Sequence, residues 1–397
     1  MEKSLKKDII INRLPVVIYF ILIFAALIVI ISAVAPMSNH EPKTTDTYSD
    51  FSTGWLNCEE SEASLNHLSG TTVIHRTITA ADCNKTLFFF AKTSNIKVFI
   101  DGVCQYRNNH FCSQFFGKTP GALFVNVLIP AESDGKLLEI EIENPYKDAD
   151  AEKEKAYNLC PEHRALAKKA AEDISDIIQF QQQKRFNSFC ISFIIMVLGV
   201  VMLLLFIPLT RQKIVGIEFL NLGVTAFVSG LYLTTDGRYL QLVFGDAHIY
   251  HVIAETTLRL SILPFLIFLS QMYESYSKRI SSILCVIGEI AFAGCFIGEI
   301  TEIMDYHETL FLVHVVFAIS MLFILVSTIK GIVKAPKENI YHNIGCIVLS
   351  FMAMTDIIIL WRGTGRETSY FIRLGILIFF FMEIVQIIKK FLVSYQR

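Results

Sequence analysis

Charge is scarce in this chain: Asp, Glu, Lys and Arg make up 18% of 397 residues, below the roughly 25% usual for soluble domains. Beside 53% hydrophobic residues and a mean hydropathy of +0.49, that scarcity excludes an ordinary water-soluble protein of this size. An excess of either sign is missing too. With 35 Lys or Arg against 37 Asp or Glu, the basic footprint that nucleic acid requires is absent, so no nucleic-acid partner is expected. No Cys/His pair has zinc-site spacing and no glycine-rich loop cradles a phosphate, so neither a metal nor a cofactor is expected. The apolar segments carry no His-Glu-x-x-His, Gly-x-Asp or Gly-x-Ser arrangement, and catalysis within this chain is not expected.

Long apolar runs are what the chain has. A helix needs about 20 apolar residues to cross a ~30 Å hydrocarbon layer, and such a run occurs at Leu14–Ala35. Seven more follow a long polar stretch: Phe189–Ile207, Ile214–Leu233, Val252–Leu269, Ile280–Phe296, Thr309–Ile329, Ile344–Leu360 and Phe371–Phe391. The first run is read as an uncleaved anchor; Ala33-Val34-Ala35 leaves a secretion signal as the alternative. With the N-terminus in the cytoplasm, loops on that side carry fourteen Lys or Arg, from Lys3 to Arg397, and the opposite loops only Arg238, Arg362 and Arg366. The cation bias puts both termini inside the plasma membrane and the stretch after Ala35 outside.

The outer stretch, residues 37–148, alternates as strands do. Ile96, Val98 and Ile100 oppose Lys97, Phe99 and Asp101, and Asp101-Gly102 supplies a turn. Leu87–Ala91 and Ala122–Ile129 read as further strands, and Leu138, Ile140 and Ile142 alternate with Glu139, Glu141 and Glu143 until Asn144-Pro145. The pattern predicts an extracytoplasmic β-sandwich. Residues 149–187, rich in Ala, Glu, Lys and Gln, predict a helical connector with a stripe at Leu166, Ala170, Ile174 and Ile177 or Ile178. The bundle then occupies 188–391, residues 1–36 form the tail and anchor, and 392–397 begin a cytoplasmic extension. The outer region carries 21 Asp or Glu against 16 Lys or Arg, a balance that disfavours anionic ligands.

Five cysteines lie outside: Cys58, Cys83, Cys104, Cys112 and Cys160. Separation alone allows Cys58 with Cys83 and Cys104 with Cys112, and leaves Cys160 over, but connectivity stays open. Ionisable residues at membrane depth are functional hypotheses by default. Glu255 and Arg259 sit four apart on one helix face and are placed to pair. Glu289, His314 and Glu383 fall at similar depth in three other spans, with Glu218 nearer the inner side and Glu299 and Asp356 nearer the outer side. A polar cluster inside the bundle follows, serving helix packing, signal coupling or proton transfer. In the outer domain Tyr106, Phe111, Phe115 and Phe116 are candidates for stacking on a ligand, or else core residues.

Four stretches carry a family likeness: Leu87-Phe88-Phe89-Phe90, Val98-Phe99-Ile100-Asp101-Gly102-Val103-Cys104-Gln105-Tyr106, Phe116-Gly117-Lys118-Thr119-Pro120-Gly121 and Glu143-Asn144-Pro145-Tyr146. With the one-plus-seven span layout, the chain resembles the bacterial seven-transmembrane receptors with diverse intracellular signalling modules. The resemblance implies a carbohydrate-binding jelly roll outside, a bundle that relays its state to a cytoplasmic effector such as a diguanylate cyclase, and a homodimer. After Phe391 this sequence carries only Leu392–Arg397, without a Gly-Gly-Asp/Glu-Glu-Phe signature, so the effector is expected in cis beyond it or in trans. The expected function is a membrane sensor for an extracytoplasmic ligand; the alternative is a solute or proton-coupled transporter.

Overall fold

A computed structural model describes residues 49–50, 54–61, 70–91, 94–108, 121–144, 169–171, 174–212, 215–245, 247–272, 275–301, 303–334, 339–362 and 369–396. The expected anchor Leu14–Ala35, and Phe111, Cys112, Phe115, Phe116 and Cys160, lie outside them. Among the described residues, nine strands precede eight helices. The strands are β1 (Ser49–Asp50), β2 (Leu56–Asn57), β3 (Gly70–Thr77), β4 (Thr86–Ala91), β5 (Asn95–Ile100), β6 (Val103–Arg107), β7 (Leu123–Leu128), β8 (Leu137–Asn144) and β9 (Lys169–Ala171). They form two antiparallel sheets, a four-stranded one in the order β1-β9-β4-β7 and a five-stranded one in the order β2-β3-β8-β5-β6.

Period-two alternation decides which side chains meet between the sheets. Leu87, Phe89, Val125 and Val127 from the first sheet share one buried cluster with Ile74, Ile96, Val98, Leu138, Ile140 and Ile142 from the second, and Trp55 is buried among them. The other face of the five-stranded sheet is polar: Glu139, Glu141 and Glu143 line its central strand, and Glu141 bonds Lys97 at 2.6 Å. Asp101 and Gly102 both adopt positive φ, +52° and +74°, as a two-residue hairpin between β5 and β6 demands. Tyr106, on the edge strand β6, packs partly buried against the common core.

The helical reading of the connector fails at Lys169–Ala171. Alanine and lysine there favour helix locally, yet the segment is β9, hydrogen-bonded between β1 and β4; pairing on both edges outweighs a propensity difference of tenths of a kcal/mol. Three residues later the chain enters α1 (Ile174–Arg211), which runs without a break through the expected boundary at residue 187. The other helices are α2 (Ile217–Asp236), the short α3 (Tyr239–Phe244), α4 (Ala247–Met272), α5 (Ser275–Ile300), α6 (Tyr306–Lys334), α7 (Ile340–Arg362) and α8 (Tyr370–Gln396).

Seven of the described helices, all but α3, are long and apolar enough to cross a membrane. Their outward faces are apolar: Leu204, Ile290, Leu322 and Phe351 stand more than half exposed, as surfaces against lipid do. Inside, Leu198, Met202, Leu222, Leu266, Phe268, Cys346 and Phe379 belong to one buried cluster. At the crossing of α1 and α2, each helix meets the other's backbone through a glycine. A Cβ on Gly199 would overlap the Phe227 backbone nitrogen, and one on Gly230 the Met196 nitrogen. This is the small-residue packing that lets membrane helices approach closely.

The Cys58–Cys83 pairing suggested by separation is not formed, and Cys112, the suggested partner of Cys104, lies outside the described residues. Cys58, Cys83 and Cys104 are free thiols. Cys58 lies just after β2 with its sulfur on the Val73 carbonyl, and Cys83 lies in the turn before β4 with its sulfur on the Thr79 carbonyl, so the two belong to different sheets. Cys104 turns its sulfur to the Tyr106 carbonyl. Maleimide added to unreduced protein is expected to alkylate exposed Cys58 and Cys104 rapidly and Cys83 more slowly. Mass spectrometry of the peptides checks this, and protection of Cys58 until reductant is added would contradict the free-thiol assignment.

Candidate functional site

The strand region meets the bundle at α1 and α4. On the outer face of the four-stranded sheet, Phe88 stacks on Phe124 with ring centroids 5.4 Å apart. The buried Arg185 guanidinium, three turns into α1, lies 5.3 Å from the Phe124 ring, a cation–π contact. Beside it Gly121, at φ +78°, lies so close to the His251 ring of α4 that a Cβ would overlap it. Ala247, at the start of α4, packs against the core between the sheets. The short α3 braces the junction: Gln182 Nε2 donates to the Leu242 carbonyl at 3.2 Å, and Tyr239 stacks on Phe189 with centroids 4.5 Å apart. Burial raises the Tyr239 hydroxyl above the ordinary phenol range.

His251, Glu255 and Arg259 follow one another at intervals of four along α4, so a line of polar groups descends from the junction into the bundle. Arg259 Nη1 pairs with Glu255 Oε2 at 2.7 Å. Its Nη2 donates to the Tyr306 carbonyl at 2.6 Å and to Thr309 Oγ1 at 3.1 Å, and its Cζ lies 4.1 Å from the Tyr306 ring centroid. The first turn of α6 is held ready for this contact by a reciprocal cap. The Asp305 N–H donates to Glu308 Oε2 at 2.9 Å and the Glu308 N–H to Asp305 Oδ1 at 3.0 Å, an Asp-x-x-Glu form of the capping box. His314, farther along α6, lies within the electrostatic reach of Glu255 and Arg259.

Two further polar nodes tie α7 and α8 to the bundle. Near the sheets, Asp356 of α7 accepts from the Ile372 N–H at 2.6 Å and the Phe371 N–H at 3.3 Å, capping the start of α8 from outside that helix. Arg373 of α8 is buried, and its Nε donates to Ser192 Oγ of α1 at 3.1 Å; Ser369 Oγ donates to Asp236 Oδ2 of α2 at 3.2 Å. At the far end from the sheets, His342 Nδ1 of α7 and Glu383 Oε1 of α8 lie 2.5 Å apart, both buried, with Cys346 Sγ 3.6 Å from His342 Nε2. One turn on, Gln386 Nε2 donates to Asn339 Oδ1 at 2.9 Å.

The charges expected from sequence therefore do not form one cluster. Glu255 and Arg259 pair as their spacing required, with His314 in their field, whereas Asp356 and Glu383 serve separate nodes. Glu289 is exposed on α5 and touches Cys285, whose Sγ is 3.6 Å from its Oε1. Shared depth did not bring these residues together because depth leaves their direction around the helix undetermined. Sequence reasoning missed His342, Arg373 and Asp236. Arg373 was legible, as an arginine two residues into an apolar span; His342 preceded the expected start of its span at Ile344. Among the described residues no group of three or more His, Cys, Asp or Glu is placed to hold a metal. No protein-family model, curated protein or solved structure matches the chain.

Proposed function

We propose that the protein is a membrane receptor: an extracytoplasmic two-sheet domain, read as a carbohydrate-binding jelly roll, detects a ligand, and the bundle relays a change in helix packing to a cytoplasmic effector. The observation that carries this reading is the junction where Gly121 abuts His251 and Arg185 covers Phe124. Gly121 directly follows the segment containing Phe111 and Phe115, and His251 heads the line that ends at Arg259. A ligand that displaces that segment acts on α4 through a contact with no free space, and packed elements of this kind switch between arrangements rather than deform continuously. Such a ligand works only through different affinities for the two arrangements. The effector, a diguanylate cyclase by resemblance, and a homodimeric assembly belong to the same proposal.

Spin labels at residues 278 and 389, at the sheet-distal ends of α5 and α8, test it. In full-length protein in nanodiscs, one member of a panel of mono- and oligosaccharides is expected to shift the interlabel distance by several ångströms. Gly121→Val, which forces a side chain against His251 and into an unfavourable φ, is expected to abolish the shift while saccharide binding persists. A panel that binds without moving the labels would overturn the relay.

The transport reading draws on the buried His342–Glu383 pair. It loses its intended partner in Glu289, which is exposed on α5. Proton-driven flux in liposomes, lost in Glu383→Gln, would favour it over the receptor.

A further inference from the structure

Glu289 stands where lipid leaves a carboxyl without a partner. The apolar span of α5 covers Ser277–Ile300, and Glu289 lies twelve residues from one end and eleven from the other, roughly 17 Å from either at about 1.5 Å per residue. Among the described Asp, Glu, Lys, Arg and His residues of the seven spans, Arg259 and Glu289 alone lie more than ten residues from both ends of their span, and Arg259 is buried. Glu289 is exposed, on the span with the smallest buried share. Ionisable groups at this depth almost always face the bundle interior or a water-filled cavity. A glutamate side chain is far too short to reach either interface from here. Its described contact is the Cys285 thiol, 3.6 Å from Oε1, and a thiol is a weak donor. Lipid tails offer no hydrogen bond at all.

We propose that α5 is a homodimer face, in which α5 of one protomer packs along α5 of its partner and the two Glu289 carboxyls hydrogen-bond to each other at mid-membrane. Ser282, Val286, Glu289, Ala293 and Ile300 recur at heptad spacing along the helix and all are exposed, the kind of stripe along which two parallel helices pack. Ala293, one turn from Glu289, keeps the seam narrow beside the carboxyl, so the backbones can approach closely there. The expected anchor Leu14–Ala35 does not supply the missing partner, because its polar side chains are Tyr19 and Ser32, each within five residues of an end. A second copy does supply it. Two copies inserted in the same orientation are related by a twofold axis along the membrane normal, which sets each seam residue at the depth of its counterpart. A protonated carboxyl both donates and accepts, so the same side chain is its own complement across that axis. The face is read from α5 alone and stands whether or not the two-sheet domain binds a saccharide.

Energy transfer between full-length proteins carrying a donor or an acceptor dye on a C-terminal tag, reconstituted together in liposomes over a range of protein-to-lipid ratios, tests the face. The unaltered protein is expected to dimerise. Glu289→Leu is expected to weaken the dimer about tenfold, the scale of interhelical hydrogen bonds in membranes, and Glu289→Gln much less, because an amide also donates and accepts. Ala293→Phe, which places a ring in the seam, is expected to abolish dimerisation. Ile287→Phe adds bulk at an exposed position two residues from Glu289, nearly on the opposite side of the helix, and is expected to leave the dimer unchanged. Thermal unfolding at the lowest protein-to-lipid ratio, expected to be the same for all the variants, separates loss of the dimer from loss of the fold. A protein that stays monomeric at every ratio would refute the proposal, the result expected if the carboxyl pairs with a cation on a different membrane protein. So would a dimer that Glu289→Leu and Ala293→Phe both leave intact, which would place the interface elsewhere.

Discussion

Arg259→Met is expected to lower the unfolding free energy by about 3–5 kcal/mol, the cost of removing one partner from a buried ion pair. The guanidinium bonds both its own helix, at Glu255, and the first turn of α6, at Tyr306 and Thr309, beside a weaker link from Thr256 Oγ1 to the Tyr306 hydroxyl at 3.2 Å. Methionine fills similar volume, but leaves the Glu255 carboxylate without its cation and the Tyr306 carbonyl without its donor. Restoring neutrality with Glu255→Gln in the same chain is expected to recover part of the loss, and Glu255→Gln alone to cost less than Arg259→Met, because Glu255 keeps 20% side-chain exposure against 1% for Arg259. Unfolding in mixed detergent micelles measures each term and the coupling between them. Raising salt should change the coupling little, since buried pairs are weakly screened. A single-variant loss below about 1 kcal/mol, the surface-pair range, would remove Arg259 from its role as the main polar tie between α4 and α6.

Gly199→Leu and Gly230→Leu are each expected to destabilise the protein by about 3 kcal/mol or more, at or above the upper end of ordinary overpacking. What a new side chain meets at these positions is backbone, Phe227 in one case and Met196 in the other. Backbone cannot rotate aside as a flexible side chain does, so α1 and α2 have to separate. Gly294→Ala is the control. Nothing lies within 4 Å of a Cβ there, and replacing a helical glycine by alanine is worth roughly 0.5–1 kcal/mol in favour of the helix. Thermal unfolding in one detergent that ranks Gly199→Leu with Gly294→Ala would contradict the close crossing.

How much of this was legible in the sequence depended on the range of the interaction. Strands and spans declare themselves through local periodicity and apolar runs, and Glu255 with Arg259 through a four-residue spacing. The rest of the Arg259 node lies 47 and 50 residues along the chain, and nothing in Tyr306 or Thr309 marks them as its partners. Span ends were drawn short because hydropathy registers only the apolar part of a helix: α1 starts at Ile174 rather than Phe189, and α7 at Ile340 rather than Ile344, which left His342 outside. Glu289 and Glu383 looked alike from sequence, yet one is exposed and the other buried, since only the packed bundle decides which way each faces.

The place of β9 in its sheet carries one more consequence. Because this strand is laced on both edges, to β1 and to β4, it cannot slip along its neighbours without tearing two ladders at once, and α1 begins three residues after it. A pull on either neighbouring strand is therefore delivered to the strand that stands nearest in sequence to the first membrane helix.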